Sequence, residues 1–283
     1  MKFWFSVVCM GFVCGTYCSL AQKINKEKKS NIHKTFLDSR ALALCILDDN
    51  KRVVACDVIN KVTEWFVGED KCRIMQSQHI PIIAAAFSSQ GRCQMLAYRD
   101  CPNYIRIFDY RKRIMNGVGV AKYPYKCAIT NDAKWFALVP TGKGLYLYRK
   151  IGEYNYDAQF LECSVVITSA AFSADDTTLV MGLKSGTIKY VPLISVMSHM
   201  KYVPHRHKGP VDAVAMNSKN GTVVSGSRDT QVFIHNVSSG VSVGLKAHKA
   251  SVNSVALSRD GGRVVTSVQN GTVLLYDVRT GNQ

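Results

Sequence analysis

VDAVAMNSKNGTVVSGSRDTQVFIHNVSSG (residues 211–240) and VNSVALSRDGGRVVTSVQNGTVLLYDVRTG (residues 252–281) are two copies of one pattern. Val211-Asp212-Ala213-Val214-Ala215 answers Val252-Asn253-Ser254-Val255-Ala256. Gly221 to Ser225 answers Gly262 to Thr266, Asp229 answers Asn270, and Val232 to His235 answers Val273 to Tyr276. In each copy an alternating apolar run leads into a polar turn, a β-branched run, a turn of Ser, Asp, Asn and Gly, and a third apolar run. Period-two alternation bounded by turn formers is the pattern of short antiparallel strands. Gly supplies positive φ in such turns, and Asn or Asp bonds its own backbone. One unit of three or four strands cannot bury both of its faces, so units of this kind must stack.

The repeat resembles the WD-repeat β-propellers, whose units run about 40–45 residues with four strands per blade. The residues that carry the resemblance are Ala247-His248, Ser258-Arg259-Asp260-Gly261-Gly262, Thr266, Asn270-Gly271 and Tyr276-Asp277. The family places His, Ser or Thr, Asp and Trp in a hydrogen-bonded tetrad. The resemblance implies that His248, Thr266, Asn270 and Tyr276 hold those places in the last copy, and His207, Ser225, Asp229 and His235 in the one before. Neither copy ends in Trp-Asp.

Carried backwards, the period continues. Tyr276 and His235 lie 41 residues apart, and similar steps reach Val191, Tyr148, Phe108 and Trp65. Upstream of each of these four lies an apolar first strand: ITSAAF, YKCAIT, IIAAAF and ALALCIL. Six repeats are thus expected between Ala41 and Val278, in one all-β domain covering residues 1–283.

Residues 1–21 have two readings. Lys2, the apolar run Phe3 to Gly15 and Ser19-Leu20-Ala21 make a secretory signal, almost long enough for an anchor. Alternatively, Met10-Gly11 and Gly15-Thr16 repeat the spacing of Met181-Gly182 and Gly186-Thr187, and Leu20 falls 45 residues before Trp65. On that reading the segment is part of a seventh blade, and seven is the expected number. The cysteines favour the blade. Cys45, Cys56, Cys72, Cys93, Cys101, Cys127 and Cys163 are scattered singly, with no framework spacing. Buried thiols of a cytoplasmic protein have this distribution; a signal peptide would instead send the chain into the secretory pathway.

Little in the sequence carries chemistry. Gly142-Lys143-Gly144 lacks the frame of a phosphate loop. His205 and His207 are half a metal site at most, and no Cys-X-X-Cys completes it. Asp48-Asp49 and Asp175-Asp176 sit where turns are expected. The sequence therefore predicts no catalytic centre, metal or cofactor.

The charge is another matter. Lys and Arg number 36 against 20 acids, a formal net charge of +16. Such a field attracts acidic proteins, nucleic acid or anionic membranes. Dense groups stand at Lys26 to Lys29, at Arg111, Lys112 and Arg113, and at Lys201, His205, Arg206 and Lys208. Lys122, Tyr123, Tyr125 and Lys126 interleave basic and aromatic residues, as base stacking would need. The resemblance implies a scaffold that binds other proteins, with the 201–208 connector on the binding face, and the charge adds acidic proteins among the partners. A basic scaffold bound to RNA in a ribonucleoprotein is the alternative, and a membrane enters only if residues 1–21 are an anchor.

Overall fold

In the computed structural model of this protein the described residues are 8–9, the strands between 41 and 119 with residues 88 and 112, and 124–281 other than 141, 154, 196–199, 218, 246, 247, 259 and 271. Among the described residues six antiparallel sheets follow one another along the chain. The first holds β1 (Val8–Cys9), β2 (Ala41–Ile46), β3 (Arg52–Asp57), β4 (Lys61–Phe66) and β5 (Cys72–Ser77). The second is β6 (Ile82–Phe87), β7 (Cys93–Tyr98), β8 (Tyr104–Asp109) and β9 (Ile114–Gly119). The third is β10 (Pro124–Ile129), β11 (Trp135–Pro140), β12 (Gly144–Lys150) and β13 (Tyr156–Glu162). The fourth is β14 (Ile167–Phe172), β15 (Thr178–Leu183), β16 (Ile188–Pro192) and β17 (Lys201–Tyr202). The fifth is β18 (Val211–Asn217), β19 (Thr222–Ser227), β20 (Val232–Asn236) and β21 (Ser242–Gly244). The sixth is β22 (Val252–Leu257), β23 (Arg263–Val268) and β24 (Val273–Asp277). The architecture is that of a WD-repeat β-propeller.

The stacking that the sequence demanded occurs at the seams between sheets. Five apolar clusters fill the seams between the first and second sheets, the second and third, and so on to the sixth. Alternation sorts the side chains, because successive residues of a strand point to opposite faces. In β15, Leu179, Met181 and Leu183 enter the seam with the third sheet, and Val180 enters the seam with the fifth. In β7, Met95 and Ala97 face the third sheet, and Leu96 and Tyr98 the first. Each fully buried Leu or Met of this kind stabilises the fold by about 1.5–3 kcal/mol. At sister positions of β15 and β19 the neighbouring sheet leaves no room for a side chain. A Cβ on Gly226 would lie 2.5 Å from Val252 Cγ1, and one on Gly182 would lie 2.7 Å from the Val211 carbonyl.

The short strand β1 pairs with Leu44 and Cys45 of β2 and also packs against β22. It therefore stands between the first and last sheets. The expectation that residues 1–21 supply part of a seventh blade, or a signal, otherwise lies outside the described residues.

Counting β2 as the first long strand of its sheet, every ladder between first and second strands skips one residue. The skipped residues are Leu42, Ile83, Tyr125, Thr168, Asp212 and Asn253. A bulge of this kind leaves its extra residue unpaired and bends the strand. Because all pairs are antiparallel, the sheet-to-sheet connectors and the turns between second and third strands lie at one end of the propeller, here the connector face. The turns between first and second strands, and between third and fourth where a fourth is present, lie at the opposite end.

At that opposite end one turn chemistry recurs. Ser88, Thr130, Ser173 and Ser258 each close the first turn by accepting a backbone N–H from the start of the second strand. In three of them the hydroxyl also donates to an Asp two residues on: Asp132, Asp175 and Asp260. Asp176 does something the sequence did not show. It reaches into the third sheet's turn, where it accepts the Asn131 N–H at 2.8 Å and the Asp132 N–H at 3.0 Å. Burial, opposed by these N–H groups, leaves its carboxyl above the usual range. Asp176→Ala is expected to cost about 1–2 kcal/mol, since two part-buried N–H groups lose their charged acceptor. A shift in the urea midpoint at constant slope is the measurement.

Candidate functional site

The connector between the fourth and fifth sheets is fixed from below. The His207 N–H donates to the Gly186 carbonyl at 2.9 Å. Gly186, at φ 87°, lies so close to the His207 backbone that no side chain fits between them. This holds the His207 ring inward, where it is buried. Its Nδ1 stands 3.1 Å from Asp229 Oδ2, and its Nε2 stands 2.8 Å from Ser225 Oγ. Ser225 Oγ is 2.8 Å from His235 Nε2, and His235 Nδ1 is 2.8 Å from Ser242 Oγ.

The protons in this chain have one consistent arrangement. Asp229 is an acceptor only, so His207 Nδ1–H donates to it. His207 Nε2 then accepts from the Ser225 hydroxyl. Ser225 in turn accepts from His235 Nε2–H, which leaves His235 Nδ1 to accept from the Ser242 hydroxyl. Both rings are neutral. Burial lowers the His207 pKa and outweighs the pull of Asp229. Burial, with His205 and His207 adding to it, brings His235 down to about 3. Burial would raise Asp229, but the Gln231 N–H, His207 and the Lys208 N–H together hold it below the usual carboxylate range.

In the last sheet the chain is cut short. His248 Nε2 stands 2.7 Å from Thr266 Oγ1, and Tyr276 is buried with its ring 5.9 Å from the imidazole. Asn270, expected opposite His248, does not join them. It is exposed, its Oδ1 accepts the Thr272 N–H at 3.1 Å, and His248 Nδ1 has no partner. The reason is chemical. A carboxylate such as Asp229 can serve its own turn and the imidazole together, whereas the single carbonyl of Asn270 is spent on the turn.

Residues 199–236 and 240–277 match the family described as WD domain, G-beta repeat. Both segments are WD repeats. Each matched WD repeat starts near or in the outer strand of one sheet and ends in the third strand of the next, so the repeat itself straddles a seam. No curated protein matches the chain. WD repeats generally serve as scaffolds for protein–protein interaction.

Around the WD repeats the predicted binding residues divide. Lys201, Arg206 and Lys208 are exposed, and Arg206 Nε donates to the Ser185 carbonyl at 2.9 Å. Arg206 and Lys208 belong to the connector face. His205, expected among the outward cations, is half-buried and lies 3.8 Å from the Phe233 ring, centroid to centroid. It packs rather than projects. Lys112 lies at the opposite end, in the turn between β8 and β9, and its Nζ meets Glu153 Oε1 of the next sheet at 2.5 Å. The two basic groups therefore do not form one surface. Arg111 and Arg113, like Lys122 and Tyr123, lie outside the described residues.

One site on the connector face was not foreseen. A cavity of about 450 Å³ opens there, lined by Lys126, Thr168, Asp212, Arg228, Ser251, Asn253 and Gln269. Three of these residues are the ones the ladders skip. Lys126 crosses from the third sheet to donate to the Thr168 carbonyl at 2.5 Å and the Asp212 carbonyl at 3.2 Å. Arg228 Nε donates to Asp212 Oδ2 at 2.6 Å. Read from sequence, Lys126 belonged to a basic–aromatic run for base stacking; in the fold its ammonium is committed to two carbonyls.

Proposed function

We propose that this protein is a non-catalytic scaffold that docks a protein partner, one with an acidic surface, on its connector face. The observation that supports this reading is the placement of Arg206 and Lys208 outside a connector whose backbone and His207 are locked in place. Rigid loops carrying free charge lose little conformational entropy on binding. The buried thiols Cys56, Cys93, Cys127 and Cys163 support a cytoplasmic home, and burial pushes the Cys127 thiol up to about 12.

The test is a Lys201→Ala, Arg206→Ala, Lys208→Ala triple variant. Its stability is expected to stay within about 0.5 kcal/mol of the parent, because exposed charges contribute little. Affinity purification of the tagged chain should recover a protein whose retention weakens in the triple variant and in salt. Recovery of RNA in place of protein, with affinity falling steeply as salt rises, would favour the ribonucleoprotein reading that the +16 charge motivates.

A further inference from the structure

Lys126 is an exception within its own repeat. It is the first paired residue after the skipped one in its ladder, and the sister residues of the other five sheets are Ala43, Ala84, Ser169, Ala213 and Ser254. Five positions carry a methyl or a hydroxymethyl group; one carries a long cation. That cation is half-buried and reaches past the fourth sheet to the fifth. None of the sister residues has a side chain long enough to bridge sheets in this way.

The cavity around it is unbalanced in charge. Its lining holds two cations, Lys126 and Arg228, and one acid, Asp212, which is already engaged by Arg228. The rest of the lining is neutral: Thr168, Ser251, Asn253 and Gln269. The hydroxyls of Thr168 and Ser251 donate to the Val211 and Arg228 carbonyls, so the donors on offer are the amides of Asn253 and Gln269 and the guanidinium of Arg228, whose side chain is 64% exposed. One positive charge is left without an anion among the lining residues. A site rich in donors with one excess positive charge suits a singly charged acceptor.

We infer that this cavity receives the carboxylate of an acidic side chain from a protein partner, held between Lys126 and Arg228. The inference rests on the proposed scaffold function and names the chemistry of its central contact. The Lys126 ammonium supports it. Burial, opposed by Asp212 and reinforced by Arg228, lowers its pKa to about 8. The ammonium is thus mostly protonated at neutral pH but held less firmly than usual, and an arriving carboxylate would raise its pKa. Asp212 and Arg228 of the fifth sheet are the charged groups facing it, and the hydrogen bond to Asp212 holds the Arg228 pKa above its usual value. Binding should therefore weaken as pH rises past about 8.

The experiment uses the full chain and a fluorescein-labelled peptide of about ten residues rich in Glu, with its Gln counterpart and an RNA oligomer of equal length as comparisons. The Glu peptide is expected to bind about tenfold more tightly than the Gln peptide, the scale of one charge-assisted contact. Lys126→Met and Arg228→Gln should each remove most of that difference while circular dichroism shows the fold retained. If either variant fails to fold, the wild-type profile decides: Glu-peptide affinity should fall several-fold between about pH 7 and about pH 9.5. Equal binding of the Glu and Gln peptides, or a flat pH profile, overturns the inference. So does loss of RNA binding in the variants while Glu-peptide binding is kept. Should the tagged chain still recover a protein partner in those cases, the scaffold reading stands and the cavity inference alone falls.

Discussion

His207→Ala is expected to lower the stability of the fold by about 4 kcal/mol, measured by denaturant unfolding at neutral pH. A lone hydrogen bond would contribute about 1 kcal/mol, which is all that the sequence reading suggests. The structure raises the figure for two reasons. His207 donates to a carboxylate, Asp229, and bonds to a charged group contribute more than neutral ones. Its loss also leaves the Ser225 hydroxyl, which is fully buried, without an acceptor. Ser225 is the link between two rings, so the damage passes on to His235. A double-mutant cycle of His207→Ala with Ser225→Ala should show strong coupling, because either change removes the same bonds. Additive losses would mean that the chain of bonds acts as separate pairs.

Acid should destabilise this protein progressively from about pH 6.5 downward. The imidazole of His235 has a pKa of about 6.5 in an unfolded chain and about 3 in the fold. Between those values the unfolded state holds the extra proton, so stability rises with pH across that window. The contribution is fully present above about pH 6.5 and is lost as pH falls towards 3. Each pH unit in the window removes about 1.4 kcal/mol, so roughly 3 kcal/mol has gone by about pH 4.5. His207 and His248 are shifted in the same direction and add to the slope. Asp229, held low, joins only at more acid pH. His235→Trp keeps an N–H for Ser225 and removes the titrating ring. Chemical denaturation of this variant at neutral and acid pH should show a much flatter dependence than the parent. An unchanged slope would remove His235 as its source.

The periodicity of the sequence located every sheet, and its turn residues located little of the site. Trp65, Phe108, Tyr148, Val191, His235 and Tyr276 all fall in the third strands of successive sheets. That worked because burial at two seams forces alternation in every repeat, whether or not the motif survives. The first-strand runs ITSAAF and IIAAAF coincide with β14 and β6 for the same reason. Lys126 was read from its chain neighbours as part of a basic–aromatic run; its bonds to the Thr168 and Asp212 carbonyls depend on how three sheets abut, which a local run does not contain. Asp176 was taken as a turn former; its reach into the neighbouring turn depends on how two sheets abut, which no local pattern contains. Asn270 failed as the partner of His248 because alignment matched position and passed over the second carboxylate oxygen that the pairing needs.

The six skipped residues give the molecule something like an address line. Leu42, Ile83, Tyr125, Thr168, Asp212 and Asn253 make no first-to-second-strand pairing, so exchanging one leaves the strand register untouched. The first three are apolar or aromatic and the last three polar, which divides the set by chain order into a greasy half and a wet half. Mutational drift at Thr168, Asp212 and Asn253, which line the cavity, would change its chemistry while the strand register stays the same. A library randomised at the codons of these three residues would therefore vary that chemistry without slipping a strand.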